Sequence, residues 1–300
     1  MKRKPQKELK TVRDWIRWSA TCFARGDLFF GHGTNNAWDE AVALVMWVVQ
    51  QPFDRLEWVL DAKLVEAEKQ QLAQLIDKRV QQHIPLPYLT GEAWFAGLKF
   101  HVTPDVLIPR SPIAELIECE FQPMLQQYPA KILDLCTGSG CIGIACAYAF
   151  EEAMVDISDI STAALDVAQL NIANHSLQDR VSTVESDVFD GITGQYDLIV
   201  SNPPYVDAQD MASIPAEYQV EPRMALESGD DGLDITRRIL AKAAQHLTED
   251  GLLVVEVGNS WEALEVSMPH VPFYWPEFEN GGHGIFMLTK QQLLEINKAA

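Results

Sequence analysis

From Lys131 onward the chain alternates short apolar runs with longer stretches of helical periodicity, and no other feature narrows its folding choices as much. Strand-length runs fall at 131–135, 153–158, 181–186, 196–201 and 251–257. Helical patterns fall near 140–150, 162–174, 233–247 and 260–267. Strands joined through helices lie parallel, because a crossover of that length returns the chain to the same end of the sheet. Two further runs, about 272–278 and 284–289, are separated by Asn280-Gly281-Gly282, and so short a link makes that pair antiparallel. The pattern predicts an α/β fold with a mostly parallel, seven-stranded sheet.

The chain before Lys131 reads differently. Residues 11 to about 83 are helical in pattern: Val12, Trp15, Ile16 and Ser19 recur at helical spacing, and Cys22 and Phe23 continue the stripe until Gly26. A loop spans Leu28 to Trp38. A second helix, Asp39 to Gln50, is apolar on nearly every side. A third, Asp61 to about His83, sets Leu64, Leu72, Leu75, Ile76 and Val80 on one face and its charges elsewhere. Pro85-Leu86-Pro87-Tyr88 breaks it. Residues 92–102 then read as a hairpin around Gly97, and a helix is expected from Ile113 to Gln127. The expected organisation is a helical domain over 1–84, a β-hairpin linker over 85–109 and an α/β domain over 110–300. His32, between two glycines, is the one residue of the helical domain that invites a chemical role, and an isolated loop histidine seldom has one.

Acidic residues outnumber basic ones by 43 to 23, a formal charge of -20. That argues against a broad phosphate-binding surface, since nucleic-acid binders gather Lys and Arg into a positive footprint. It suits plain solubility, and it also suits a basic protein partner drawn in by long-range attraction. Of the five cysteines, Cys136, Cys141 and Cys146 are evenly spaced, but their setting is apolar and glycine-rich and no His follows. Buried reduced thiols are expected, and no metal site. The basic start, Met1 to Lys10, lacks the apolar core of a signal peptide, and the longest apolar run, Ala41 to Val49, is too short to span a bilayer. A cytoplasmic protein without a membrane partner is the expectation.

Chemistry gathers at four successive strand ends. Lys131 to Gly143 is a strand, a glycine turn (Cys136-Thr137-Gly138-Ser139-Gly140) and a helix start, where backbone can approach a ligand closely and a helix N-terminus offers unpaired N–H groups. Gly138, Gly140 and Gly143 match G-x-G-x-x-G, so a nicotinamide enzyme and an adenosine-binding enzyme both fit. Asp159, at the end of the next strand, can accept from both hydroxyls of a ribose; Asp156, inside the strand, competes for that role. Asp187 can accept from the exocyclic amine of adenine with Val188 against the ring, or it can simply form a turn. Finally Asn202-Pro203-Pro204-Tyr205 follows an apolar strand. Two prolines fix the backbone and remove two donors, leaving a stiff corner with an amide side chain, free carbonyls and a ring. Such a corner can hold a planar nitrogen group by accepting its N–H hydrogens, with the Tyr205 ring alongside.

These residues resemble class I (Rossmann-like) S-adenosylmethionine-dependent methyltransferases, and within them the protein-(glutamine-N5) methyltransferases. The resemblance covers essentially the whole chain, including Ile108-Pro109-Arg110, the glycine turn and Asn202 to Tyr205. Phe30 to Thr34, Asn36 to Glu40, Arg110-Ser111-Pro112, Glu256 to Ser260 and Asn280-Gly281-Gly282 resemble the branch that acts on large-subunit ribosomal protein three. The release-factor branch usually carries Asp-Thr-Glu soon after the Pro-Arg, where this chain has Ser111-Pro112-Ile113-Ala114-Glu115. The resemblance implies an N-terminal substrate-recognition domain and S-adenosyl-L-methionine as cofactor. Cys136, Thr137, Gly138, Ser139 and Gly140 would then cradle its methionine part, Asp159 the ribose, and Asp187 with Val188 the adenine. Asn202, with Pro203, Pro204 and Tyr205, would present the substrate glutamine, Asn202 also bordering the cofactor. The implied partner is a basic ribosomal protein, without direct nucleic-acid binding. The same reaction on a release factor, or amino-methylation of a nucleic-acid base, uses the same corner. A nicotinamide oxidoreductase leaves the Pro-Pro corner without a task.

Overall fold

The computed structural model describes residues 7–299; of the basic start, residues 1–6 lie outside them. The chain forms two compact units. One is drawn from the chain up to Glu92 together with Pro215–Val220, the other from Ala93–Ile214 and from Glu221 onward.

The first unit is helical. α1 (Val12–Ala24) opens on a capping box, in which Thr11 Oγ1 accepts from Asp14 N while the Asp14 carboxylate accepts from Thr11 N. α2 (Ala37–Val48) is capped by Asn36, whose side chain accepts from Trp38 N and Asp39 N. After a single turn, α3 (Leu56–Val59), comes α4 (Glu66–Gln82), and α5 (Leu86–Thr90) follows the proline break. α4 starts later than its sequence pattern suggests. Lys63 bridges to Thr11, Leu64 N donates to Lys10 O, and the helix begins only where the Glu68 carboxylate caps Val65 N. The core packs Trp15, Ile16 and Phe23 against Leu44, Val45, Leu72 and Ile76.

One expectation for α4 fails: its inner face is not free of charge. Arg79 is 1% exposed. Its Nε donates to Glu40 Oε1 at 2.5 Å, Nη1 to Glu217 Oε1 at 2.8 Å and Nη2 to the Phe29 carbonyl at 2.9 Å. A guanidinium is tolerated there because two buried carboxylates and a carbonyl meet its fork of donors. His32 is also buried, its ring centroid 4.6 Å from that of Tyr218.

The second unit begins one residue into a hairpin of β1 (Glu92–Phe95) and β2 (Leu98–His101). Its two-residue turn, Ala96 and Gly97, has positive φ at both positions (47° and 73°), the geometry that matches strand twist. The main sheet contains β3 (Lys131–Leu135), β4 (Met154–Asp159), β5 (Val181–Glu185), β6 (Tyr196–Ser201), β7 (Leu247–Glu256) and β8 (Ile285–Thr289). Their order is β5-β4-β3-β6-β7-β8, all parallel except β8, which runs antiparallel to β7. Among the described residues the sheet therefore has six strands, not the expected seven. The run at 272–278 contributes one antiparallel bridge, Tyr274 to Met287. Pro272 and Pro276 flank it and supply no N–H, so the ladder cannot grow.

The helices of this unit are α6 (Ile113–Glu118), α7 (Cys141–Ala149), α8 (Thr162–Asn174), α9 (Ala208–Met211), α10 (Asp234–His246), α11 (Trp261–Ser267) and α12 (Lys290–Ala299). α6 stops well short of Gln127, because Glu120 and Phe121 turn left-handed (φ 54° and 57°) and Pro123 lacks a donor. α10 passes directly into β7, which starts earlier than the apolar run at 251–257 implies. Among the described residues, no helix is long and apolar enough to cross a membrane.

Both faces of the sheet are covered, as a parallel sheet requires. Ile132, Leu198, Val200, Leu252 and Val254 bury against α6 and α7 residues such as Ile113 and Ile144. The alternate residues, Leu133, Leu135, Ile199, Leu253 and Val255, bury against Ile239, Leu240, Leu264 and Leu293. α7 lies so close to β4 that a Cβ on Gly143 would stand 2.3 Å from Ile157 Cγ2 and 3.2 Å from Asp134. The third glycine of the fingerprint is thus a packing residue. Gly143→Ala is expected to lower stability by about 1–3 kcal/mol, the usual result of overpacking, read as a shifted urea midpoint; an unchanged midpoint would mean that α7 moves away freely.

Candidate active site

The strand order reverses between β3 and β6, and ligands in open α/β sheets bind beyond the strand ends at such a point. Here the register sets Leu135 opposite Ser201, with Ser201 Oγ donating to the Leu135 carbonyl at 2.8 Å. Cys136 and Asn202 therefore leave the sheet side by side. A cavity of about 290 Å³ opens there, bordered by Cys136, Thr137, Gly138, Ser139, Asp159, Asp187, Val188, Asn202 and Pro204. Of the residues the sequence singled out, Gly140, Pro203 and Tyr205 do not line it.

The glycine turn is tight and largely self-satisfied. Cys136, Gly138 and Gly140 have φ of 58°, 56° and 82°. A Cβ at Gly138 would meet nothing within 4 Å, because that position faces the cavity; at Gly140 it would press on Ile157 and Ala168 in the core. Thr137 N donates to Ser158 O, Gly140 N to Thr137 O and Gly138 N to Asp159 Oδ2. Fewer N–H groups are unpaired here than the fingerprint leads one to expect. Beneath the turn, Asp134 is fully buried and accepts from Thr137 Oγ1 and Gly143 N. Burial pushes its carboxyl up to about 7. The Cys136 thiol is raised as well, by burial and then by Asp159 and Asp134, so it stays protonated.

Asp159 stands at the cavity and accepts from Gly138 N and Ser161 N, each at 2.9 Å. Burial outweighs those bonds and raises its carboxyl. Asp156 is elsewhere: its oxygens accept from the hydroxyls of Ser182 (2.6 Å) and Tyr196 (2.8 Å). Asp187 pairs with Arg238 at 2.8 Å, and both border the cavity. Val188 holds φ at 54°, a strained conformation for a β-branched residue. Ser186 keeps it there, donating to Val188 O while accepting from Gly191 N.

At the corner after β6, the Asn202 carboxamide is half-buried and borders the cavity. Tyr205 points elsewhere: its hydroxyl donates to Glu256 Oε1 at 3.0 Å, and Ser260 Oγ donates to its carbonyl at 2.8 Å. Glu256 also accepts from Ser111 Oγ at 2.5 Å. Neighbouring Arg110 forks onto the buried Glu221 with two bonds of 2.7 and 2.6 Å. Reading the strand ends for chemistry missed Glu256, Glu221 and Arg238. The available signal was a carboxylate closing an otherwise apolar run, Leu252 to Val257. Among the described residues, no cluster of three or more His, Cys, Asp or Glu could hold a metal ion.

Residues 121–230 match the family model described as the methyltransferase small domain. A curated relative, "Ribosomal protein uL3 glutamine methyltransferase" of Francisella tularensis subsp. tularensis, is 47% identical over 97% of this chain and 94% of its own length. A protein of the same name from Neisseria gonorrhoeae is 46% identical over 96% of this chain and 97% of its own. Among solved structures, the hMettl16 catalytic domain in complex with MAT2A 3'UTR hairpin 6 superposes with a TM-score of 0.52 at 15% identity, over 74% of this chain and 81% of that one, a likeness of fold alone. The chain belongs to the ribosomal protein uL3 glutamine methyltransferase family.

The buried acids give stability a pH dependence of known sign. Asp134 and Glu256 are raised from the ordinary carboxylate range to about 7, chiefly by burial. The stability they contribute is complete below that ordinary range and is lost as pH rises through about 7. Between about pH 5 and about pH 8, Asp134→Asn is therefore expected to lose less unfolding free energy than the parent in urea titrations. Equal losses would mean that Asp134 is ionised throughout.

Proposed function

We propose that this chain transfers a methyl group from S-adenosyl-L-methionine to the side-chain nitrogen of one glutamine in ribosomal protein uL3. The carrying observation is the β3–β6 register, which opens the glycine turn and the Asn202 carboxamide onto one cavity. The cavity's chemistry suits the cofactor. Ser139 Oγ is buried at its wall without a hydrogen-bond partner among the described residues. The wall carries four carboxylates, Asp105, Asp159, Asp187 and Glu227, against Arg110 and Arg238. Arg110 is paired with Glu221, Arg238 with Asp187 and Glu227 with Arg223, so Asp105 and Asp159 are the acids outside these ion pairs. That balance favours a cationic sulfonium and disfavours the pyrophosphate of a nicotinamide dinucleotide. In this reading Cys136 to Ser139 cradle the methionine part, with Gly140 closing the turn on the core side, Asp159 takes the ribose hydroxyls, and Asp187 with Val188 meets the adenine.

When bound, the cofactor supplies an electrophilic methyl carbon. The chain's own task is to prepare the amide. A carboxamide nitrogen is a poor nucleophile because its lone pair is delocalised into the carbonyl. Acceptors at Asn202 Oδ1 and the Pro203 carbonyl would accept hydrogen bonds from its two N–H groups, raising electron density on nitrogen and fixing its direction. As the N–C bond forms and the methyl–sulfur bond breaks, the nitrogen keeps one hydrogen and releases the other as a proton to water. The two prolines hold those acceptors still, so alignment supplies much of the acceleration. The formal charge of -20 favours encounter with a basic ribosomal protein, with the helical unit as its recognition element.

Mass spectrometry after incubation with methyl-labelled cofactor is expected to find one added methyl on one glutamine of uL3, and none on a release factor or on RNA. A methyl on either of those alternatives alone would overturn the substrate. Asn202→Ala is expected to cut turnover by about 10²-fold or more, while calorimetry shows S-adenosylhomocysteine still bound; near-normal turnover would remove Asn202 from the mechanism.

A further inference from the structure

The geometry points to Glu256 as a positioning residue for methyl transfer: clamped by Ser111, its carboxylate anchors the Tyr205 hydroxyl and thereby sets the direction of the Asn202 corner. The inference rests on the proposed role of Asn202 and adds to it a support drawn from two other chain segments.

Glu256 closes β7, one residue beyond the Val255–Ser201 pair, and so lies alongside Asn202. It is 4% exposed. Burial raises its carboxyl, against the pull of the Ser111 and Tyr205 hydroxyls and of Arg110. An acid in such a place costs stability, and a well-packed apolar side chain would cover the sheet end more cheaply. What the acid provides is direction. Oε2 takes Ser111 Oγ at 2.5 Å, which fixes the carboxylate plane, and Oε1 takes Tyr205 OH at 3.0 Å. The tyrosine is gripped at two more points. Ser260 Oγ donates to its carbonyl at 2.8 Å, and its ring lies so close to Gly258 that a Cβ there would stand 2.5 Å away. Because Tyr205 does not line the cavity, its hydroxyl is spent on anchoring the corner from behind. Two prolines make the corner stiff, but stiffness alone does not aim it; the aim comes from where its last residue is tied.

The test compares Glu256→Ala, Glu256→Gln, Tyr205→Phe and the double variant Tyr205→Phe/Glu256→Ala, measuring kcat and KM for methyl transfer to uL3. Glu256→Ala and Tyr205→Phe are each expected to lower kcat about 10-fold, the worth of one well-placed hydrogen bond, with KM for the cofactor little changed. Glu256→Gln still accepts the tyrosine hydroxyl and is expected to restore most of the loss. In the Tyr205→Phe background, Glu256→Ala is expected to add nothing. Multiplying effects, or a Glu256→Gln as slow as Glu256→Ala, would overturn the inference; if Glu256→Ala does not fold, a Glu256→Gln slower than Tyr205→Phe would do so. A parent enzyme that transfers no methyl to uL3 would overturn the function itself, and this inference with it.

Discussion

The pairing of β3 with β6 is the contact on which the site depends. Neither strand end carries an active arrangement by itself. One ends in a turn that lets backbone approach a ligand, the other in a proline-stiffened corner with a carboxamide. Parallel register, Leu135 against Ser201, brings the two out of the sheet together. Slipping that register by one residue would also invert every side chain between the two cores, so the packing that stabilises the sheet also fixes the geometry of the cavity. Gly143 adds to this constraint by letting α7 sit tightly on β4 behind the turn.

Around the cavity the chain departs from comfortable backbone. Cys136 and Val188 both sit in the left-handed region, which for residues with a Cβ costs on the order of 1–2 kcal/mol. Both lie on the cavity wall, and hydrogen bonds hold the turns that contain them, Ser186 in the case of Val188. Buried acids add a second cost at Asp134 and Glu256. Strain is thus concentrated on the cavity wall and the buried acids lie just behind it, and the two apolar faces of the sheet supply the stability that offsets both.

Much of the architecture was readable because parallel strands buried on both faces stand out as continuous apolar runs. The bounds of β3 and β6 match their sequence runs, and the cavity residues at the strand ends follow from them. The misreadings have local causes. The run at 272–278 is apolar enough for a strand but is interrupted by prolines that leave a single bridge. β7 begins earlier than expected because α10 feeds it without a loop. Arg79 lies at helical spacing from Leu72, Leu75 and Ile76, yet its charge concealed that it belongs on the buried face. Resemblance picked out 110–112, 256–260 and 280–282 as separate segments, and only the structure joins them. Ser111 bonds Glu256, His283 meets Asn259, and Gly282 packs on Pro112 so closely that a Cβ would stand 2.4 Å from its ring. Such long-range joins leave no periodic trace in a sequence.

The ion cluster at Arg79 bears on how such a protein can change over evolutionary time. Its guanidinium donates to Glu40 and to Glu217, the latter 138 residues after Arg79, and Glu217 also accepts from the Phe29 N–H. The helical lobe is therefore not a transferable cassette. A recombination event that exchanged only the N-terminal third would strand a buried cation with half its counter-charge, so lobe and downstream loop must be inherited as one piece.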